Sequence, residues 1–294
     1  MQRHSVIATY FSPKLGLALG LALFAAPAVA QETQSASFAT TAPQSYELLQ
    51  AIGLYDVLEI MSVEGISNAD ALESDMFPGQ GGPAWSGMVA NIYANDRLVS
   101  DFEAAWDQDL FDEDQLAALI SYFTSDTGTK IIEGEVLARR AFMDEEVEEA
   151  ANEIYARRLD DRDSRIDQLD DFISTNGLVD LNVAGALNSN FAFYRGLTDG
   201  GAFEVEMPEA LMLAEVWGQE PEIRDSTTTW LYSYQLMAYN GLSDAEFATY
   251  IDLSKTDEGR ALNRALFQAF DVVFEGVSYD LGRAASVFMT GDDI

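Results

Sequence analysis

The chain has 294 residues, no cysteine, one histidine and a formal net charge of −34 at pH 7. This charge excludes nucleic acid as a partner, because nucleic-acid binding relies on Lys and Arg side chains that neutralise phosphates. It also disfavours electrostatic docking to an anionic membrane surface. A cationic partner, metal ions, or an acidic coat that serves solubility alone remain open.

Residues 1–30 have the pattern of a secretory signal peptide. Basic side chains precede an apolar run over residues 15–26, and Ala28-Val29-Ala30 predicts cleavage after Ala30. The run is shorter than the roughly 20 residues that span a bilayer. We therefore expect a soluble periplasmic protein with no transmembrane segment after cleavage. Because the one histidine, His4, leaves with the leader, Ser-His-Asp and Cys-His catalysis and the usual zinc and haem ligand sets are excluded.

Helical spacing dominates the rest of the chain. Residues 31–45 are rich in Ser, Thr, Ala and Gln and predict a flexible spacer. From Tyr46 onward apolar residues recur at helical intervals, and no strand signal of similar strength appears, which predicts an all-α fold. One helix of about 23 residues is predicted to include Trp85 and Trp106, and another to run from Ile131 to about Asp160.

One pattern occurs twice, at a constant offset of 131 residues. Each copy has a capping box that opens a short helix, then a hydroxyl residue that caps the next helix, then a lone glycine. The first copy has Asp112, Gln115, Ser125 and Gly128 at these positions, and the second has Ser243, Glu246, Thr256 and Gly259. We infer a duplication that gives two tandem multi-helix modules with antiparallel packing, over residues 46–160 and 161–294. The glycines are interpreted as points of close helix approach rather than catalytic positions.

The segment from Arg157 to Asp167 is nearly all charged and is the predicted module boundary. Ser164 with Asp167 has the spacing of a helix cap. A break at this cap competes with one continuous charged helix that bridges the modules.

The pattern Tyr122-Phe123-x-Ser125-x-x-Gly128-x-Lys130 resembles the helical hairpin of the exported bacterial family known as domain of unknown function 2059. Leu253-x-x-Thr256-x-x-Gly259-Arg260 looks like a degenerate second copy. The family often has proline after the capping hydroxyl, where this chain has aspartate, and both residue types suit a first helical turn. The resemblance implies an all-helical exported protein and implies no activity.

These observations favour a non-enzymatic binding or interaction protein, and a chaperone-like role is one form of this hypothesis. Its predicted partners are protein segments in the periplasm. No cofactor and no metal are predicted. One alternative is a small-molecule or divalent-cation binder with an interhelical pocket lined by Trp85, Trp106 or Trp230. Another is a carboxylate-dependent hydrolase, because 50 acidic residues guarantee close carboxylate pairs. The acidic cluster from Asp107 to Asp114 lacks the glycine and the glutamate of an EF-hand loop, so no calcium site is predicted there.

Overall fold

The computed structural model describes residues 38–203 and 207–289. The described residues contain helices and no strand, so the predicted all-α fold is confirmed. The α-helices are α1 (Pro43–Ala51), α2 (Leu54–Met76), α3 (Gly82–Ile92), α4 (Asn95–Ala105), α5 (Glu113–Phe123), α6 (Asp126–Ala141), α7 (Glu145–Asp160), α8 (Ser164–Asn176), α9 (Leu178–Asp199), α10 (Glu209–Gly218), α11 (Glu220–Ala238), α12 (Asp244–Ser254) and α13 (Asp257–Met289). Within the described ranges, no helix is both long and apolar enough to cross a membrane. The predicted leader and its cleavage site lie outside these ranges.

Helix α13, with 33 residues, is the longest described element. It packs along α9 and also contacts α3, α4 and α5, while α11 packs against α6, α7 and α9. One apolar cluster therefore extends from Phe38, before α1, to Phe288 in α13 and includes residues of both predicted modules. The division into modules at residue 160 stays a prediction.

The prediction of a flexible spacer over residues 31–45 is wrong for residues 38–45, which the structure describes. Residues 38–41 are helical, and α1 begins at Pro43. Phe38 and Ala42 are buried in the main core. A proline at the first helical position is compatible with the helix start, because its missing N–H has no intrahelical acceptor there.

Two helices predicted as continuous are each divided. The first ends at Ile92, where Ser62 Oγ donates to the carbonyl of Tyr93 at 2.6 Å and α4 begins at Asn95. The second divides after Ala141, and the Asp144 side chain accepts from the backbone N–H of Glu146 to cap α7. The apolar spacing continues across both breaks, so periodicity alone does not detect them.

The charged segment from Arg157 to Asp167 contains a break rather than a continuous helix. Helix α7 ends at Asp160, and Arg162 has a φ of 53°, in the left-handed region. Asp163, not Ser164, caps α8 by accepting from the backbone N–H of Arg165. Arg165 itself is largely buried and donates to the carbonyl of Leu242 at 2.8 Å. The segment therefore anchors α8 to the start of α12.

Candidate functional site

The two repeated motifs form two bends of the same geometry, which we call the first corner (residues 112–128) and the second corner (residues 243–259). Both capping boxes are present, with Asp112 and Ser243 as the capping residues. At the first corner Ser125 Oγ accepts from the N–H of Gly128 at 3.1 Å. At the second, Thr256 Oγ1 accepts from the N–H of Gly259 at 3.0 Å. Each hydroxyl also donates to the backbone carbonyl three residues earlier.

The glycines allow the backbone to fold tightly at each corner. A Cβ at Gly128 would lie 2.1 Å from the carbonyl oxygen of Tyr122, and one at Gly259 would lie 2.0 Å from that of Leu253. The close approach is therefore to the end of the preceding helix of the same corner. A side chain at either position would have to displace backbone atoms.

The two corners contact each other. Lys130 Nζ in α6 forms an ion pair with Glu246 Oε1 in α12 at 2.7 Å. The hydroxyls of Tyr122 and Thr249 are 3.1 Å apart and share a hydrogen bond. These two contacts lie at the surface, and beneath them Phe123 of the first corner and Tyr250 and Gly259 of the second border the same interior space.

That interior space is a cavity of about 70 Å³. Aromatic and aliphatic side chains form most of its wall, together with a few polar groups. Its lining includes Phe123 and Glu135 from the first half, and Phe172, Gln235, Tyr239, Tyr250, Gly259, Leu262, Asn263 and Leu266 from the second half. Phe172, Tyr239 and Tyr250 form an aromatic group, with the rings of Phe172 and Tyr250 4.9 Å apart.

Glu135 brings a carboxyl group into this wall. Its side chain is 1% exposed and lies two helical turns after Gly128, on the inward side of α6. The hydroxyl of Tyr239 donates to its Oε1 at 2.6 Å, and the hydroxyl of Tyr234 donates to its backbone carbonyl at 2.6 Å. The second carboxyl oxygen, Oε2, has no hydrogen bond of good geometry.

Gln235 provides a second unsatisfied acceptor in the same wall. Its side chain is 3% exposed, and its Oε1 also lacks a hydrogen-bond partner. An unsatisfied buried oxygen costs about 1–3 kcal/mol, more if charged, so two of them around one cavity need an explanation.

Burial raises the pKa of the Glu135 carboxyl to about 8, against the lowering effect of the hydroxyl of Tyr239, which donates to Oε1, and of the nearby hydroxyl of Tyr250. Desolvation disfavours the carboxylate more strongly than the tyrosine hydroxyls favour it. The carboxyl group of Glu135 is therefore mostly protonated at neutral pH. A cation placed beside it would shift it towards the ionised form.

The three tryptophans predicted to line a pocket lie in separate places. Trp85 packs against Phe77 and Phe288, and its Nε1 donates to the carbonyl of Ala69. Trp106 stacks on Phe111. Trp230 borders a different cavity, of about 80 Å³, where its ring lies under the guanidinium of Arg139. None of them is part of the wall around Glu135.

Sequence reasoning missed Glu135 and Gln235. Glu135 stands in a helix that also carries the exposed Glu133, so composition gives no sign that one of the two is buried. Its position two turns after a motif glycine was the available signal. Among residues 38–203 and 207–289, no group of three or more His, Cys, Asp or Glu side chains is arranged to hold a metal ion.

Part of the chain is similar to one known protein family. The family described as "Uncharacterized protein conserved in bacteria (DUF2059)" matches residues 103–163, a stretch that contains the first corner and Glu135. The chain is similar to that family over this stretch, and the second corner lies outside it, so the interpretation as two tandem copies stays a prediction. No curated protein and no solved structure matches the chain.

Proposed function

We propose that this protein is a non-enzymatic binding protein whose interior cavity takes a small primary ammonium ion. One observation carries the proposal: two buried oxygens without partners, Glu135 Oε2 and Gln235 Oε1, belong to the wall of one cavity. With the carboxyl of Glu135 ionised, Oε2 and Gln235 Oε1 are two acceptors that a ligand with at least two N–H or O–H donors satisfies, and an ammonium group has three.

The surrounding wall supports a cation. The rings of Phe172, Tyr239 and Tyr250 offer aromatic surface close to the carboxyl, and aromatic faces attract ammonium groups. The acidic chain would also draw cations towards its surface. Because one water needs about 10–15 Å³ of such space, a cavity of about 70 Å³ has room for a small ligand.

The rival functions find less support in this cavity. Glu135 is the one carboxylate among the described lining residues. A glycosidase-like mechanism needs a second carboxyl about 5–10 Å away to act as nucleophile or base. A divalent cation needs several oxygen ligands, and carboxylates dominate such sites. The periplasmic location expected from the leader remains part of the proposal.

Methylammonium is the probe that tests the proposal. We expect it to raise the melting temperature of the wild-type protein in a concentration-dependent manner, with sodium and tetramethylammonium at matched ionic strength as controls. Tetramethylammonium carries the same charge and no N–H donor, so it should have no such effect. Glu135→Gln should abolish the response, and Glu133→Gln, an exposed change on the same helix, should leave it intact.

Calorimetry provides an independent check. Because the Glu135 carboxyl has a pKa of about 8, binding of a cation beside it at pH 7 should release a proton. The observed enthalpy should therefore change with the ionisation enthalpy of the buffer, and affinity should increase from pH 6 to pH 9. No response to methylammonium, or an equal response in Glu135→Gln, would overturn the proposal.

A further inference from the structure

Helix α10 has two apolar faces but only one of them is covered. Its inner face places Met212 and Val216 in a small separate core with Val183, Leu187, Tyr194 and Ile223. Its outer side carries Ala210, Leu213, Ala214 and Trp217, all of them exposed. A helix that is apolar all round is normally buried all round.

The exposed residues form a stripe. Consecutive members are three, one and three positions apart, which places them on one side of the helix with the spacing that a second helix packs against. Trp217 is 64% exposed, whereas Trp85, Trp106 and Trp230 are each 5% exposed or less. Tryptophan is strongly enriched among the residues that dominate binding energy at protein interfaces.

The charge around the stripe specifies the partner. No Lys or Arg occurs between Arg195 and Arg224, and Glu209, Glu215, Glu220 and Glu222 lie on or beside α10. Arg224 is held in ion pairs with Glu220 and Asp180, at 2.6 and 2.7 Å. Acidic residues therefore predominate around the stripe, while Arg195 provides one basic group beside Glu209 at the start of α10.

An acidic rim disfavours two other occupants. A second copy of this chain would bring two acidic rims together, and like charges across an interface oppose association. A membrane surface with anionic lipids would be repelled for the same reason. A basic partner helix gains both apolar burial and charge complementarity.

We propose that the outer face of α10 docks an amphipathic helix of another protein, with an apolar stripe and basic flanks. Trp217 and Leu213 would insert between the apolar side chains of that helix, and its Lys or Arg side chains would face the acidic rim. This surface is independent of the cavity beside Glu135.

Two synthetic helix-forming peptides of 18 residues test the proposal, one built from Leu and Lys and the other from Leu and Glu with the same apolar stripe. The Leu–Lys peptide should bind, measured by anisotropy of a labelled peptide, and should shift tryptophan emission to shorter wavelength because Trp217 becomes buried. The Leu–Glu peptide should not bind. Raising the salt concentration should weaken the complex without abolishing it, since part of the interaction is apolar.

Two variants localise the binding. Trp217→Ala should lower the affinity for the Leu–Lys peptide by at least tenfold and remove the emission shift. The circular dichroism and melting temperature of this variant should stay near those of the wild type. Leu137→Ala, which alters a 61% exposed leucine on α6, should bind like the wild type.

Equal binding by Trp217→Ala, or equal binding of both peptides, would overturn the proposal. Self-association in sedimentation that Trp217→Ala abolishes would identify a second copy as the occupant. Binding to neutral phosphatidylcholine vesicles that the same variant abolishes would identify a lipid surface. Either result would overturn the proposal that a partner helix occupies this face.

Discussion

The two corners begin alike and continue differently. In each, a hydroxyl caps a helix, a glycine follows three residues later, and an inward residue stands seven positions after the glycine. That residue is Glu135 after the first corner and Leu266 after the second, and both line the same cavity. One bend therefore serves two purposes: in α6 it brings a carboxyl into the interior, and in α13 it extends the apolar wall.

The largest expected effect tests whether the two bends are equivalent. Gly128→Ala and Gly259→Ala should each lower the free energy of unfolding by about 3 kcal/mol, because the new methyl meets backbone atoms that cannot move aside cheaply. Chemical denaturation measures the loss. Gly276→Ala is the matched control, since that helical glycine has open space around it and alanine there should stabilise by about 0.5–1 kcal/mol. A large loss at one corner alone would show that the bends are not equivalent.

The second prediction concerns pH, because of the two inward residues only Glu135 titrates and Leu266 does not. The pKa of Glu135 in the folded protein, about 8, is above its ordinary value of 4.5, so between these values the folded state binds more protons than the unfolded state. Stability should therefore fall as pH rises through this range. Relative to Glu135→Gln, the wild type should lose melting temperature from pH 5 to pH 8 and no more above that.

Leu266→Gln is the control, because it places in the same cavity a polar side chain that does not titrate. It should destabilise the protein by an amount that does not depend on pH. A constant difference between wild type and Glu135→Gln across the range would contradict burial of an ionisable group at position 135.

The smallest effect concerns the caps. Asp112→Ala and Ser243→Ala should each cost about 1 kcal/mol of stability, since each removes an acceptor from the first turn of a helix. The second corner should respond to acid, because Lys130 and Ser243 lower the pKa of Glu246 to about 2. That contribution is present above the ordinary pKa of Glu246 and is lost as pH falls towards 2. Thermal unfolding from pH 2 to pH 6 measures it, with Lys130→Met as the variant that removes the partner.

The corners could be predicted from the sequence because their signals are local. A capping residue, its partner three positions later and a glycine act within one or two turns, so their order along the chain is sufficient evidence. The breaks after Ile92 and Ala141 were missed because apolar spacing continues through them. The cap at Asp144 was readable in the sequence, as an aspartate before a run of glutamates.

The cavity could not be predicted from the sequence because its wall comes from distant helices. Tyr234 and Tyr239 reach Glu135 from about 100 positions along the chain. Whether Glu135 is exposed, like Glu133, or buried depends on how α11 packs against α6, and no local pattern encodes that contact. The three tryptophans named as pocket-lining candidates are all buried, and their separation in space likewise depends on how distant helices pack.

The path of α13 has a consequence for the order of assembly. This helix is about 50 Å long at 1.5 Å per residue, and it completes the surroundings of α3, α4 and α5 as well as those of α9. During synthesis those earlier helices leave the ribosome before their packing partner does. Their apolar sides therefore remain partly uncovered until α13 has been made, and these helices reach their native packing only once α13 is present.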